Sequence, residues 1–298
     1  MNYRSIGKSG LKVSEIGLGC MSLLKTSRDE AADIVHTAVD AGINYFDTAD
    51  LYDKGANEEL IGALLKPVRN KVILATKVGN QWRADGSGWD WNPTKAYILK
   101  AVDKSLRRLQ TDYIDLYQLH GGTIEDPVDE TIEAFEQLVQ QGKIRQYGIS
   151  SIRPNVIRTY VEKSNIISVM LQYSILDRRP EETILDLLLP NGIGVMVRGA
   201  LAQGLLAGKK PKEYLGHPPS TVQLAAEILT DRVASTQSIP AALATQYVLS
   251  HPAVSSVVTG ISNLQQLEEA IELPPSPDAE WFDQIREFIP AKQYEAHR

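Results

Sequence analysis

Asp47, Tyr52, Lys77 and His120 are an acid, a phenol, an ammonium and an imidazole. Together they form a set that can deliver a proton to a carbonyl oxygen as negative charge develops on it. Each stands at or just beyond the end of a short apolar run: Ile43 to Phe46, Val72 to Thr76, and Tyr113 to Leu119. A free phenol has a pKa of about 10, so Tyr52 needs help to exchange protons near neutrality, and a neighbouring ammonium such as Lys77 favours the phenolate. A buried ammonium is costly unless paired, and Asp47 is the natural partner. His120 could donate to the oxygen and orient it. Singly, each residue also has a structural reading. Asp47 could cap a turn before Thr48, Lys77 could be a strand-end charge, His120 could cap a strand before Gly121, and Tyr52 could be a packed surface aromatic. Collected on one rim, they point to proton chemistry.

A common rim requires strands that alternate with helices. The pattern begins with a small hairpin, Tyr3 to Ile6 and Leu11 to Val13 around a Gly7–Gly10 turn. Strand-like and helix-like segments then alternate. Ile16 to Gly19 precedes a helical pattern from Asp29 to Ala41, Ile43 to Phe46 one from Glu58 to Leu65, Val72 to Thr76 one from Thr94 to Leu109, and Tyr113 to Leu119 one from Val128 to Gln141. The second half continues with Ile144 to Ile149 before Asn155 to Glu162, and Ile167 to Gln172 before Glu181 to Leu189. Gly194 to Val197 comes before Thr221 to Ser235 and Ala241 to His251, and Ser255 to Val258 before Leu264 to Ile271. Eight strand–helix units predict an α/β fold, a (β/α)8 TIM barrel with a short N-terminal β-hairpin. A doubly wound sheet of eight strands would be unusually wide. Parallel α/β folds carry their chemistry beyond the carboxyl ends of their strands, where the four residues fall.

The 298 residues are 43% hydrophobic and 23% charged, ordinary globular values that fit one barrel domain over residues 1–298. A net charge of −6 without a basic cluster argues against nucleic acid and anionic membranes as partners. With Cys20 as the only cysteine there is no disulfide framework, and His36, His217, His251 and His297 form no ligand pattern, so no metal site is expected. The first residues lack an apolar signal core, and a cytoplasmic monomer or weak homo-oligomer is the expectation.

Further residues carry a resemblance. Asp47-Thr48-Ala49-Asp50-Leu51-Tyr52 with Glu58 and Gly62, Ala75-Thr76-Lys77, and Leu116 to His120 come first. Gly142 to Arg145, Gly148 to Ser151 and Gly204 to Lys209 follow in the same order. In these segments the chain resembles the aldo-keto reductase family, most closely its bacterial branch with compact loops. The resemblance implies a barrel, NADPH as hydride donor, a small-molecule carbonyl substrate reduced to an alcohol, and Asp47, Tyr52, Lys77 and His120 as the catalytic tetrad with Tyr52 as general acid. The cofactor is expected against Cys20, Met21, Asp47, Ser150, Ser151, Gln172 and Arg198. The remaining contacts fall on Gly199, Ala200, Leu201, Gln203, Gly204 and Lys209, and on Gly260, Ile261, Ser262 and Gln266. The sequence itself offers no Gly-x-Gly-x-x-Gly after a strand and no nucleotide P-loop.

Several positions depart from the family pattern. Ser151 stands where the family carries Asn, and Met170 where it carries a carboxamide-binding Gln, a role Gln172 could take from the same strand face. Arg198 replaces an aromatic, and a guanidinium plane can also stack on a ring. Gly260, Ser262 and Gln266 occupy positions where many relatives hold a 2′-phosphate with Lys or Arg, which leaves NADH as the alternative cofactor. The other functional reading is a cofactor-binding redox sensor or regulatory subunit with little turnover, as in the potassium-channel β subunits that resemble this family.

For the substrate side, Trp82, Trp89 and Trp91 share one loop after the Lys77 strand, and Met21, Leu23 and Leu24 follow the first strand. The tryptophans either wall the reaction site or staple the loop to the barrel; Leu23, Trp82, Trp89 and His120 are the expected substrate contacts. Cys20 reads as a small buried apolar residue.

Overall fold

The period-two pattern of each strand decides which side chains enter the barrel. In the computed structural model, which describes residues 1–233 and 238–298, twelve strands form: β1 Tyr3–Ser5, β2 Lys12–Ser14, β3 Ile16–Gly19, β4 Tyr45–Asp47, β5 Ile73–Val78, β6 Asn80–Trp82, β7 Trp89–Trp91, β8 Ile114–Leu119, β9 Ile144–Ser150, β10 Ser168–Gln172, β11 Gly194–Arg198 and β12 Val254–Gly260. Eight of them close into a parallel barrel in the order β3, β4, β5, β8, β9, β10, β11, β12 and back to β3. Helices pack outside, beginning with Arg28–Asp40, whose N-terminus is closed by a Ser27–Glu30 capping box. The architecture is the (β/α)8 barrel expected, and the paired β1–β2 hairpin is present.

Inside, Tyr45, Ile73, Ala75, Leu116, Met170 and Met196 form a buried apolar cluster with Ile6 and Val13 of the hairpin, which therefore plugs the amino end of the barrel. Leu74 and Val78 point the other way and join the larger core between strands and helices. The same alternation carries the inward phase from Ile73 and Ala75 to Lys77, from Tyr45 to Asp47, and from Leu116 to Gln118. Register fixes their height, because Asp47 pairs with Ala75 and Lys77 with Gln118. Below, the barrel is hydrocarbon; at its carboxyl end it turns polar.

Close packing outside the barrel explains Gly62. A Cβ there would lie 2.5 Å from the Leu109 Cα, so the helices Ala56–Leu65 and Lys95–Leu109 can meet only over a bare backbone. Next to this contact, Glu58 is fully buried and accepts from Thr76 Oγ1 at 2.6 Å and Arg108 Nε at 2.6 Å.

Two segments differ from expectation. The pattern from Glu181 to Leu189 predicts one helix, but a 3-10 turn Arg179–Glu182 is followed by a short helix Ile184–Leu188, with Thr183 non-helical between them. Tertiary demands override the periodicity. Glu181 accepts from Tyr173 and Tyr247 at 2.8 and 2.7 Å, while Glu182 accepts from the Tyr294 N–H and from Arg298. A C-terminal helix, Ala279–Phe288, buries Trp281, Phe282 and Ile285 beyond the barrel units. The helix expected to end at Ser235 runs Pro219–Val233, and Ser235 lies outside the described residues. No helix among the described residues is long and apolar enough to cross a membrane.

Candidate active site

Lys77 is 1% exposed and Asp47 4%, so their charges face each other largely out of water. The Lys77 ammonium spends its three hydrogens on the Asp47 carboxylate, the Thr48 carbonyl at 2.7 Å and the Tyr52 hydroxyl oxygen at 3.4 Å. With that oxygen accepting from Lys77, the Tyr52 hydrogen is left to point away from it, toward the cleft. Gln118 Nε2 donates to the second Asp47 oxygen at 3.2 Å and fixes the carboxylate. Burial works against the Lys77 charge, but attraction to Asp47 and then Tyr52 outweighs it, so Lys77 holds its proton more firmly than a free lysine.

Tyr52 opens a turn in which Asp53 and Lys54 both adopt left-handed backbone, φ 46° and 57°. Such conformations are costly for side chains other than glycine and persist where surroundings enforce them. Here the Tyr52 N–H is tied to the Ala49 carbonyl at 3.1 Å, and the Leu51 carbonyl accepts from the Trp82 indole at 3.2 Å. Across the cleft, the His120 N–H binds the Val78 carbonyl at 2.7 Å, and the imidazole meets the Tyr52 ring edge-on with centroids 5.9 Å apart. His120 Nδ1 is buried without a partner.

Burial first, then the Lys77 and Arg198 charges, push the His120 pKa down to about 3. His120 is therefore a neutral imidazole near neutrality, able to donate one hydrogen bond. Between pH 6.5, the reference value, and about 3 the unfolded chain binds the proton and the folded one does not. The stability tied to this group is thus complete above pH 6.5 and declines as pH falls toward 3. We expect the His120 ring resonances in an NMR titration to stay constant from pH 8 to 5, a range set about the ordinary imidazole pKa. An inflection near 6.5 would contradict the burial.

The cleft encloses about 800 Å³ and is lined by Asp47, Tyr52, Lys77 and His120 together with Cys20, Met21, Ser150, Ser151, Arg198, Gly199 and Gly260. Burial, then the nearby Asp47 carboxylate, drives the Cys20 thiol far up, so it acts as a small packed side chain. The long loop after β5 is itself a hairpin, β6 paired with β7. Trp89 and Trp91 line the cleft. The indole of Trp91 donates to Asp126 at 2.8 Å and lies over Gly79, where a Cβ would come within 2.5 Å of the ring. Trp82, expected as a substrate contact, instead lies on the far side of Leu51 beside Lys54, whose ammonium sits 5.2 Å from its ring; it staples the loop. Leu23, the other apolar contact expected, is fully buried in the core because the 3-10 turn Cys20–Lys25 turns it inward.

A second groove of about 700 Å³ shares Met21, Gly199 and Gly260 with the cleft and continues past Ala200, Leu201, Gln203, Gly204, Lys209, Ser262 and Gln266. Two glycines where the spaces meet leave the passage open, and Lys25 and Lys209 supply cations farther along. Cleft and groove together fit a long ligand with a flat head at Tyr52 and phosphates beyond, such as a dinucleotide. Ile261 is fully buried and contributes its carbonyl to Ser22 at 2.8 Å rather than lining the groove. Gln172 lines neither space; it donates to Asp177 and Tyr214 and accepts from Arg198 Nη1 at 2.9 Å, so it orients Arg198. The sequence reading missed Thr123 and Arg153 as lining residues, and it named Trp91 and Met170 without assigning them a contact. Met170 was legible from the inward phase of its strand; Arg153 had no signal beyond its nearness to Ser151. No group of three or more His, Cys, Asp or Glu side chains that could hold a metal occurs among the described residues.

Comparison with known proteins bears on this geometry. A family profile, Aldo/keto reductase family, matches residues 15–288. The uncharacterized oxidoreductase YqkF of Bacillus subtilis (strain 168) is 52% identical over 281 residues, 91% of this chain and 90% of the relative. Aldo-keto reductase YhdN of the same organism is 33% identical over 295 residues, covering 92% and 88%. Among solved structures, the holo form of aldo-keto reductase AKR11C1 from Bacillus halodurans superposes with a TM-score of 0.95 at 50% identity, covering 100% of this chain and 99% of that one.

Proposed function

The chain belongs to the aldo/keto reductase family and is an oxidoreductase, and from that premise we propose that it reduces aldehydes and ketones to alcohols with NADPH, Tyr52 acting as the general acid. The observation that carries this reading is the saturated Lys77 ammonium, which leaves the Tyr52 hydroxyl hydrogen as the donor available to the cleft. A bound nicotinamide supplies the hydride. Tyr52 gives its proton to the carbonyl oxygen, and the phenolate that remains is stabilised by Lys77, held in turn by Asp47. Neutral His120 orients the oxygen through one N–H. Trp89, Trp91 and Leu51 give the cleft an apolar wall that excludes water.

The groove residues fit the rest of the cofactor. Ser150, Ser151 and Arg198 line the cleft, and Lys25, Lys209, Ser262 and Gln266 line the groove. Gln266 Oε1 accepts from the Ser262 N–H at 2.8 Å, leaving a neutral pair where an arginine would add charge. We therefore expect NADH to be accepted beside NADPH. Gln266→Arg should tighten NADPH relative to NADH by roughly tenfold, the scale of one charge-assisted hydrogen bond. Fluorescence titrations with both cofactors measure this, and an unchanged ratio removes Gln266 from the 2′-phosphate site. The reading as a whole is tested by reduced-cofactor oxidation with a panel of aromatic and aliphatic aldehydes; absence of reduction with either cofactor would refute it.

A further inference from the structure

The charges lining the cleft do not balance. Among the described residues Asp47 is its only carboxylate, and Lys77 neutralises it. Two guanidiniums remain, Arg153 and Arg198. Arg198 is held by Gln172 and borders the proposed nicotinamide end. Arg153 stands elsewhere on the wall. It follows Ser151 at the end of β9, and its Nη1 donates to the Gly122 carbonyl in the loop just beyond His120. That bond pins the guanidinium across two loops, while most of its five N–H donors have no acceptor among the described residues. No carboxylate of the described residues lies within ion-pair distance of it. Asp126, in the same loop as Gly122, is already occupied by the Thr123 N–H, the Thr123 hydroxyl and the Trp91 indole. Nor is Arg153 required by cofactor phosphates, because the cations placed for those, Lys25 and Lys209, line the other groove.

From this arrangement we infer that Arg153 is a substrate-anchoring residue and that the cleft takes carbonyl compounds bearing a carboxylate. The inference rests on the reductase reading above and names its substrate class. A planar guanidinium with a free edge matches a carboxylate in two parallel hydrogen bonds, and a half-buried cation lacking a counter-ion gains most from a ligand that brings one. Trp91, locked over Gly79 and Gly121, supplies the apolar surface for the carbon skeleton between carbonyl and carboxylate.

The test compares para-formylbenzoate with its methyl ester, the same aldehyde with and without the charge. The wild-type protein should reduce the acid with a kcat/KM roughly tenfold to a hundredfold above the ester, mostly through KM. Arg153→Met should bring that ratio close to unity, and Arg153→Lys should restore part of it. A wild-type ratio near unity, or a ratio that survives in Arg153→Met, overturns the anchoring role. A second readout needs no turnover: benzoate, but not benzamide, should change the tryptophan fluorescence of the wild-type protein with NADP+, and not that of Arg153→Met. If neither aldehyde is reduced but benzoate binds through Arg153, the reductase reading falls while the carboxylate site stands. If both are reduced equally and benzoate does not bind, the reverse holds.

Discussion

Tyr52→Phe is expected to lower kcat/KM for aldehyde reduction by roughly 10²- to 10⁴-fold, the range typical of a lost general acid, while cofactor titrations superimpose on those of the wild type. The substitution is nearly isosteric. It keeps the ring whose edge meets His120 with centroids 5.9 Å apart and whose position Lys77 flanks at 5.1 Å. What it removes is the oxygen that accepts from Lys77 and the hydrogen that faces the cleft. Folding should therefore be preserved, and the loss should appear in the chemical step. A Phe variant that turns over at the wild-type rate would show that another group, with His120 the next candidate, delivers the proton. A loss of cofactor affinity in parallel with activity would instead mark Tyr52 as part of the binding surface.

How much of this was open to a reader of the sequence depended on whether a residue answers to a short repeat or to a distant neighbour. Lys77 illustrates the first case. Its place follows from the inward phase of Ile73 and Ala75, and period-two alternation needs only local sequence. Asp47 is reached in the same way from Tyr45. The Trp loop illustrates the second. Trp82, Trp89 and Trp91 have the same chemistry and share one loop, yet only the latter two line the cleft. The difference lies in partners far along the chain, Leu51 for Trp82 and Asp126 for Trp91. Leu23 is a related case: an apolar residue after a strand end could face either the mouth or the core, and the turn Cys20–Lys25 sends it to the core. Arg153 was invisible for another reason. Its meaning comes from the absence of a counter-ion, and a missing contact has no sequence signature.

The energetic cost of building such a site should be readable from Lys77. Replacing it with Met removes one partner of a buried ion pair and leaves Asp47 charged and largely out of water, an imbalance that typically costs about 3–5 kcal/mol. We expect Lys77→Met to lose that much stability in chemical denaturation at neutral pH, together with most of its turnover. Asp47→Asn combined with Lys77→Met should be considerably less destabilised than the sum of the single variants, because no lone charge remains. The pH dependence gives an independent check. Burial already raises the Asp47 pKa, and Lys77 and its hydrogen bond are the chief forces opposing that rise. Without Lys77 the folded protein should bind a proton at Asp47 more tightly than the unfolded chain does. The deficit of Lys77→Met should then shrink as pH falls through the raised folded-state pKa of Asp47 and level off only below the ordinary aspartate value of about 4, where folded and unfolded forms are both protonated. A deficit that stays constant with pH would mean that the cost comes from packing, and that the Asp47–Lys77 pair does not carry the electrostatic load on which stabilisation of a Tyr52 phenolate depends.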